Sequence, residues 1–315
     1  MLNVGNAPLS WGVFEGDADT NPSWRSVLDD IVTAGYGWME LGPIGFLPED
    51  ADTLRHELAG RGLQLTAGFV YEHMHEPANR DHVLRNTRRV GEMLSALGAR
   101  YLVVIDRMLP ERQQTAGRSA DAARLGPEAW ATMIETIASV ADVAAKEFGL
   151  RPVLHPHCGT HLEFGDEIDR ALKDLPHTTI GLCIDTGHST VADLQPAELV
   201  DRYADRVEYF HFKDVDAGAL RHMREEELEF EAALGVGLFC PIGQGLVDFP
   251  TLRESLRRIA FRGSATVEQD PDPRVTDYSG LAAACESMAY LREVGLVRDI
   301  PRPAAGADAT QEARQ

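Results

Sequence analysis

Cysteine is scarce in this sequence and shows no pairing pattern: Cys158, Cys183, Cys240 and Cys285 lie far apart, with no CxxC among them. That spacing argues against a disulfide framework and for a reducing compartment, so the expected address is the cytoplasm. Long apolar runs are missing as well. No stretch approaches the roughly 18–20 residues of a membrane span, and the opening MLNVGNAPLSWG is not the basic-then-apolar pattern of a signal peptide. Positive charge is short: 30 Lys and Arg against 50 Asp and Glu leave a net charge of −20. Such a chain repels phosphate backbones and anionic lipid surfaces, which argues against nucleic-acid and membrane partners. No cluster of Lys and Arg marks a phosphate pocket, so a neutral, unphosphorylated small molecule is the expected substrate.

What remains is an ordinary globular composition, 44% hydrophobic and 25% charged over 315 residues, enough to bury a core without disulfides or a structural metal. Short apolar runs bounded by Gly, Pro or charge alternate with segments whose apolar residues recur three or four apart. The runs Val4–Pro8, Gly37–Leu41, Leu63–Phe69, Tyr101–Ile105, Pro152–His157, Ile180–Asp185, Val207–Phe212 and Ala265–Glu268 predict strands buried on both faces. The segments between them predict helices at Trp24–Ala34, Asp50–Arg61, Arg80–Leu97, Pro127–Phe148, Asp166–Asp174, Pro196–Tyr203, Pro250–Ile259 and Ser279–Val294. Prolines 22, 127 and 196 mark helix starts, and Gly35, Gly98 and Gly149 sit where C-terminal caps belong.

A row of eight βα units predicts a parallel sheet closed into a single (β/α)8 TIM barrel over residues 1–300. An open doubly wound sheet would want a Gly-rich phosphate loop after the first strand, and Asn6-Ala7-Pro8-Leu9-Ser10 is not one. After strand seven, the long loop Val215–Gly245 carries an acidic helical piece, Arg221–Leu234. It is expected over the barrel mouth as a cap or as the contact of a homo-oligomer. The tail 301–315 is small and polar, and disorder is expected there.

Functional side chains of such a barrel gather where its strands end. Strand five ends in His155-Pro156-His157, strand six in Asp185-Thr186-Gly187-His188, strand seven in His211-Phe212-Lys213-Asp214 and strand eight in Glu268-Gln269-Asp270. Taken singly these have plain readings: a histidine satisfied in a loop, an Asp turn, a solvated strand exit. Four such groups at equivalent places in successive units read as the ligands of one divalent metal. His73 and His75 follow strand three, outside this set, and are expected to help enclose substrate. Gly243-Gln244-Gly245 lacks the following helix start and Lys of a phosphate loop and reads as a turn, while Arg224–Glu231 reads as a solvated helix face.

The stretches GNAPLSWG (5–12), MELG (39–42), HPHCGTHLEFGDE (155–167), GLCIDTGH (181–188), YADR (203–206), HFKD (211–214), PIGQGLVDF (241–249) and VEQD (267–270) together resemble the xylose-isomerase-like barrel superfamily of sugar isomerases, epimerases and dehydratases. The closest resemblance is to its inosose dehydratase (2-keto-myo-inositol dehydratase) group. The resemblance spans nearly the whole chain. It implies one divalent ion, Mn2+ or Co2+ first and Mg2+, Fe2+ or Zn2+ as alternatives, held by Glu, Asp, His and Glu at the ends of strands five to eight. Asp185, His211 and Glu268 fall on three of those positions; His155 stands where the family has Glu, so either His155 or Glu163 is the fourth ligand.

The same departure removes the pair of glutamates with which related epimerases exchange protons on two faces. Elimination needs one base and one acid, which a carboxylate with His or Lys provides. The implied activity is therefore a metal-dependent hydro-lyase acting on a polyhydroxylated ketone such as 2-keto-myo-inositol through a metal-stabilised enediolate. The alternatives are a ketose epimerase or aldose–ketose isomerase on the same site, and a non-catalytic sugar-binding barrel. Glu268, His157, His188 and Lys213 are the expected catalytic residues, and Asn6, Trp11, Glu40, His157, His188 and Lys213 the expected substrate contacts. For Lys213 the plain reading is an ion pair with Asp214 or Asp216, and for Trp11 it is packing at the barrel bottom or an interface.

Overall fold

A computed structural model describes residues 2–272 and 278–297. Its strands form a closed parallel barrel in chain order: β1 (Asn3–Asn6), β2 (Trp38–Glu40), β3 (Gln64–Glu72), β4 (Tyr101–Asp106), β5 (Arg151–Leu154), β6 (Gly181–Asp185), β7 (Val207–Phe212) and β8 (Ser264–Val267). The barrel closes by parallel pairing of Asn3–Asn6 with Ser264–Val267. Helices such as Ala51–Arg61, Arg80–Ala96 and Pro127–Phe148 return the chain between strands. Pro127 opens the longest of these and Gly149, at φ 69°, ends it in the left-handed conformation a side chain disfavours.

The strands alternate between two cores. Ala67, Tyr101, Val103, Val153, Cys183 and Tyr209 fill the barrel interior, while Val4, Met39, Leu102, Leu154, Leu182, Phe210 and Val267 pack outward with the helices. β5 stops at Leu154, earlier than the apolar run suggests, because Pro156 has no N–H to extend the ladder. Pro8 likewise leaves β1 and begins a 3₁₀ turn, Pro8–Trp11.

The insertion after β7 is built in three pieces. Asp214–Val215 pairs antiparallel with Phe239–Cys240. Between them the expected single helix divides into Ala217–Glu225 and Phe230–Gly235, with Glu227 at φ 51° between the two. Leu220, Met223, Phe230, Ala233 and Leu238 pack with Cys158 and Val191, a small core over the β5 and β6 ends of the barrel. The Gly243-Gln244-Gly245 turn folds around a carboxylate: Asp214 accepts N–H bonds from Gly243, Gly245 and Val247 at 2.8, 3.0 and 3.0 Å. A Cβ on Gly245 would fall 2.4 Å from Asp214 Oδ1, so this turn requires glycine. The tail expected at 301–315 lies outside the described residues. No helix among the described residues is long and apolar enough to cross a membrane.

Candidate active site

Strand alternation brings the polar strand ends into one place. Asp185 is registered with His211, and Thr266, two residues before Glu268, with His211. His155 follows β5 directly, its N–H donating to Val104 O at 2.9 Å. His155, Asp185, His211 and Glu268 are all buried. Asp185 Oδ2 lies 3.6 Å from His155 Nε2 and 4.0 Å from His211 Nδ1, and His211 Nδ1 lies 3.1 Å from Glu268 Oε2. Ligand atoms about 2.1 Å from a shared ion are separated by roughly 3–4 Å, and these three pairs fall in that range; the tightest three-residue groupings centre on His211 and leave Asp185 at their edge. Asp185 Oδ2 is buried without a hydrogen-bond partner, which a carboxylate oxygen rarely tolerates. Two imidazoles and two carboxylates form a donor set suited to a divalent transition ion.

Asp185 is fixed from behind. Its Oδ1 caps the helix Thr186–Val191 by accepting the His188 N–H at 2.8 Å, leaving Oδ2 for the cluster. Burial pushes its carboxyl upward, but the Lys213 ammonium holds it well below the ordinary carboxylate range.

Lys213 turns into the same space. Its Nζ is 2.7 Å from Asp270 Oδ2, 3.5 Å from Asp185 Oδ2, 3.6 Å from Glu268 Oε2 and 3.2 Å from His188 Nε2. Asp214 and Asp216 are engaged elsewhere, by the glycine turn and as the cap of Ala217–Glu225, so the surface ion pair is not formed. Burial disfavours the ammonium, yet the carboxylates of Asp185, Asp270 and Glu268 raise its pKa, and it is charged. His157 and His188 stack with ring centroids 3.7 Å apart under Phe230, and Phe239 covers His188 from the edge. Burial, with His155 and Lys213 nearby, pushes His157 down to about 3, and burial with His157 lowers His188, so both rings are neutral. His157 Nδ1 donates to the Cys158 carbonyl at 2.7 Å, which leaves its Nε2 as the basic nitrogen.

Three expected residues lie elsewhere. Glu163 folds into a loop: it accepts N–H bonds from Gly117 at 2.6 Å and Gly159 at 2.9 Å and faces Arg112 at 3.7 Å, so both of its oxygens are already used. Asn6 shares its register with Met39 and Val267, which face the helices, and its Oδ1 accepts the Ala7 N–H at 2.8 Å, so it points away from the barrel interior. Trp11 donates to Asp30 Oδ2 at 2.9 Å and packs where Gly280 starts the last helix, tying first helix to last. Glu40 is inside the barrel, but its Oε1 is 2.9 Å from both Tyr209 Oη and His211 Nε2, a protein contact in place of the expected substrate hydroxyl.

Asp270, Tyr209, Phe230 and Phe239 belong to the site, and the sequence analysis did not single them out. Asp270 alone had a signal, its place just after Glu268. His75 lies between His73 and His161, with ring centroids 6.1 and 4.9 Å away respectively. Among the described residues the convergent donor sets are His155–Cys183–His211 and Glu40–His211–Glu268.

A buried carboxylate–imidazole nest beside a charged lysine and a neutral histidine pair can hold a cation, polarise a carbonyl and move protons at adjacent carbons. Residues 28–294 match the family model described as xylose isomerase-like TIM barrel. An inosose dehydratase of Geobacillus kaustophilus (strain HTA426) is 30% identical over 287 residues, covering 87% of this chain and 89% of its own. IOLI protein with a bound zinc atom shares the fold at TM-score 0.70 and 14% identity, over 93% of this chain and 98% of that one. D-allulose 3-epimerase from Methylomonas sp. does so at TM-score 0.67 and 19% identity, over 93% and 96%.

Proposed function

Because the chain belongs to the xylose isomerase-like TIM barrel family, we propose that it is a metal-dependent hydro-lyase removing water from a keto-cyclitol such as 2-keto-myo-inositol (scyllo-inosose). One observation carries the reaction type: the four-residue nest is asymmetric. His155 occupies the β5 position, and the Lys213 ammonium stands 3.5–3.6 Å from Asp185 and Glu268. The inosose dehydratase relative supports the substrate class.

His155, Asp185, His211 and Glu268 would hold the ion, Mn2+ or Co2+. Such an ion would supply Lewis-acid polarisation of a ketone, which makes the adjacent C–H more acidic. Glu268 is better suited to holding the ion than to taking the proton, because its Oε2 already faces His211 Nδ1 at 3.1 Å and the Lys213 ammonium at 3.6 Å. His157, unprotonated at Nε2, is the base that takes the α-proton. Lys213, charged and oriented by Asp270, protonates the departing hydroxyl, and His188 beside it orients a substrate hydroxyl. Phe230 and Phe239 exclude water from the histidines, which strengthens each of these interactions.

The test is to supply the purified protein with Mn2+ or Co2+ and scyllo-inosose and to follow the ultraviolet absorbance of the dione product. Appearance of that absorbance is expected. A silent spectrum together with interconversion of ketohexoses would transfer the site to epimerase or isomerase chemistry.

A further inference from the structure

Glu40 closes β2 on the opposite side of the barrel from β6 and is 1% exposed. Among the described residues no lysine or arginine pairs with it. Its Oε1 accepts the Tyr209 hydroxyl at 2.9 Å and lies 2.9 Å from His211 Nε2, and Tyr209 Oη is also 2.6 Å from Thr266 Oγ1. Its Oε2 is buried with no partner. Burying a carboxylate on one imidazole and one phenol is expensive, and a neutral side chain of the same length would pack as well. The arrangement therefore calls for a reason that needs the charge.

Proton placement supplies one. A carboxylate has no hydrogen to give, so the hydrogen between Glu40 and His211 sits on Nε2. The other nitrogen, Nδ1, is then the one available to ligate a cation, and Nδ1 is the atom that faces Glu268 at 3.1 Å and Asp185 at 4.0 Å. Tyr209 and Thr266 stop the carboxylate from rotating away. Edge-on packing of the Tyr209 and His211 rings, with centroids 5.8 Å apart, limits tilt of the imidazole.

We propose that Glu40, braced by Tyr209, is a positioning residue that selects the Nε2–H tautomer of His211 and raises the donor strength of its Nδ1 toward the metal. The inference rests on the metal reading given above. A carboxylate behind a ligating histidine typically contributes 10- to 100-fold in metal affinity.

The experiment compares Co2+ affinity by chelator competition, and the visible Co2+ spectrum, for the wild type, Glu40→Ala, Glu40→Gln and Tyr209→Phe, with circular dichroism as a check on folding. Glu40→Ala should bind Co2+ about 10- to 100-fold more weakly. Glu40→Gln, which keeps an acceptor but not the charge, should fall between it and the wild type, and Tyr209→Phe should weaken binding by a smaller factor. The spectrum of bound Co2+ should keep its band positions in all three. If Glu40→Ala does not fold, Glu40→Gln and Tyr209→Phe decide alone, and wild-type affinity in both overturns the proposal. Wild-type affinity with a raised KM would make Glu40 a substrate contact, and shifted Co2+ bands in Glu40→Gln would make it a direct ligand; either result sinks the positioning role. A wild type that binds no Co2+ would instead fell the metal reading underneath.

Discussion

Lys213 is the residue whose surroundings separate catalysis from metal binding. Its ammonium occupies the same electrostatic space as a divalent ion, 3.5 Å from Asp185 and 3.6 Å from Glu268. The two cations compete for those carboxylates, but only one of them can deliver a proton to a leaving hydroxyl. Lys213→Met should therefore cut turnover by about 10²–10⁴-fold, the range a positioned acid contributes. Affinity for Mn2+ or Co2+ should hold or rise, because a competing charge has gone. Single-turnover rates set beside chelator competition make the distinction. A variant that loses its metal along with its activity would recast the lysine as a support for the site.

At the scale of elements, the segment from His155 to Glu167 decides which side chain completes the metal nest. Arg112, fully buried in the short helix Pro110–Gln113 after β4, bonds Glu167 at 2.9 and 3.1 Å, and Glu167 in turn accepts the N–H groups of Glu163 and Phe164. That clasp points Glu163 at the backbone of Gly117 and Gly159. Glu163→Gln should thus leave Co2+ affinity within about twofold. It should cost about 1–3 kcal/mol of stability in urea denaturation, because an amide NH2 would replace one of two acceptors. His155→Ala should weaken Co2+ binding at least about tenfold; the reverse pattern would give the ligand position to Glu163.

The same segment shows where the sequence was legible. Strand identity and the clustering of His155, Asp185, His211 and Glu268 follow from local runs and from the rule that barrel strands present their C-terminal ends together. The destination of Glu163 depends on an arginine 51 positions earlier, counted from 112 to 163, which no periodicity reveals. Asn6 misled for a related reason. In a strand buried on both faces, both phases of the alternation are available, and only the barrel register with Met39 and Val267 assigns Asn6 to the outer layer. Phe230 and Phe239 reach the site through the tertiary fold of the insertion, and nothing in their own neighbourhood of the sequence marks them.

For the whole molecule, the barrel places Glu40, Asp185, Glu268 and Asp270 together in its buried mouth, within a chain that already carries a net charge of −20. Lys213 and His211 offset part of that repulsion. A dication bound there would offset more, and because the unfolded chain cannot assemble the nest, its binding free energy adds to folding stability. At a free Mn2+ or Co2+ concentration about 100 times Kd the gain is about 2.7 kcal/mol, enough to raise Tm by several degrees. Thermal unfolding should accordingly shift upward as Co2+ is titrated and fall back with excess chelator. In Asp185→Asn both shifts should shrink together, since that substitution removes a carboxylate proposed to hold the ion while Oδ1 can still cap the Thr186–Val191 helix. A melting temperature indifferent to metal and chelator in the wild type would mean that the polar mouth is balanced by its own lysine and histidine, and that the barrel holds no ion of consequence there.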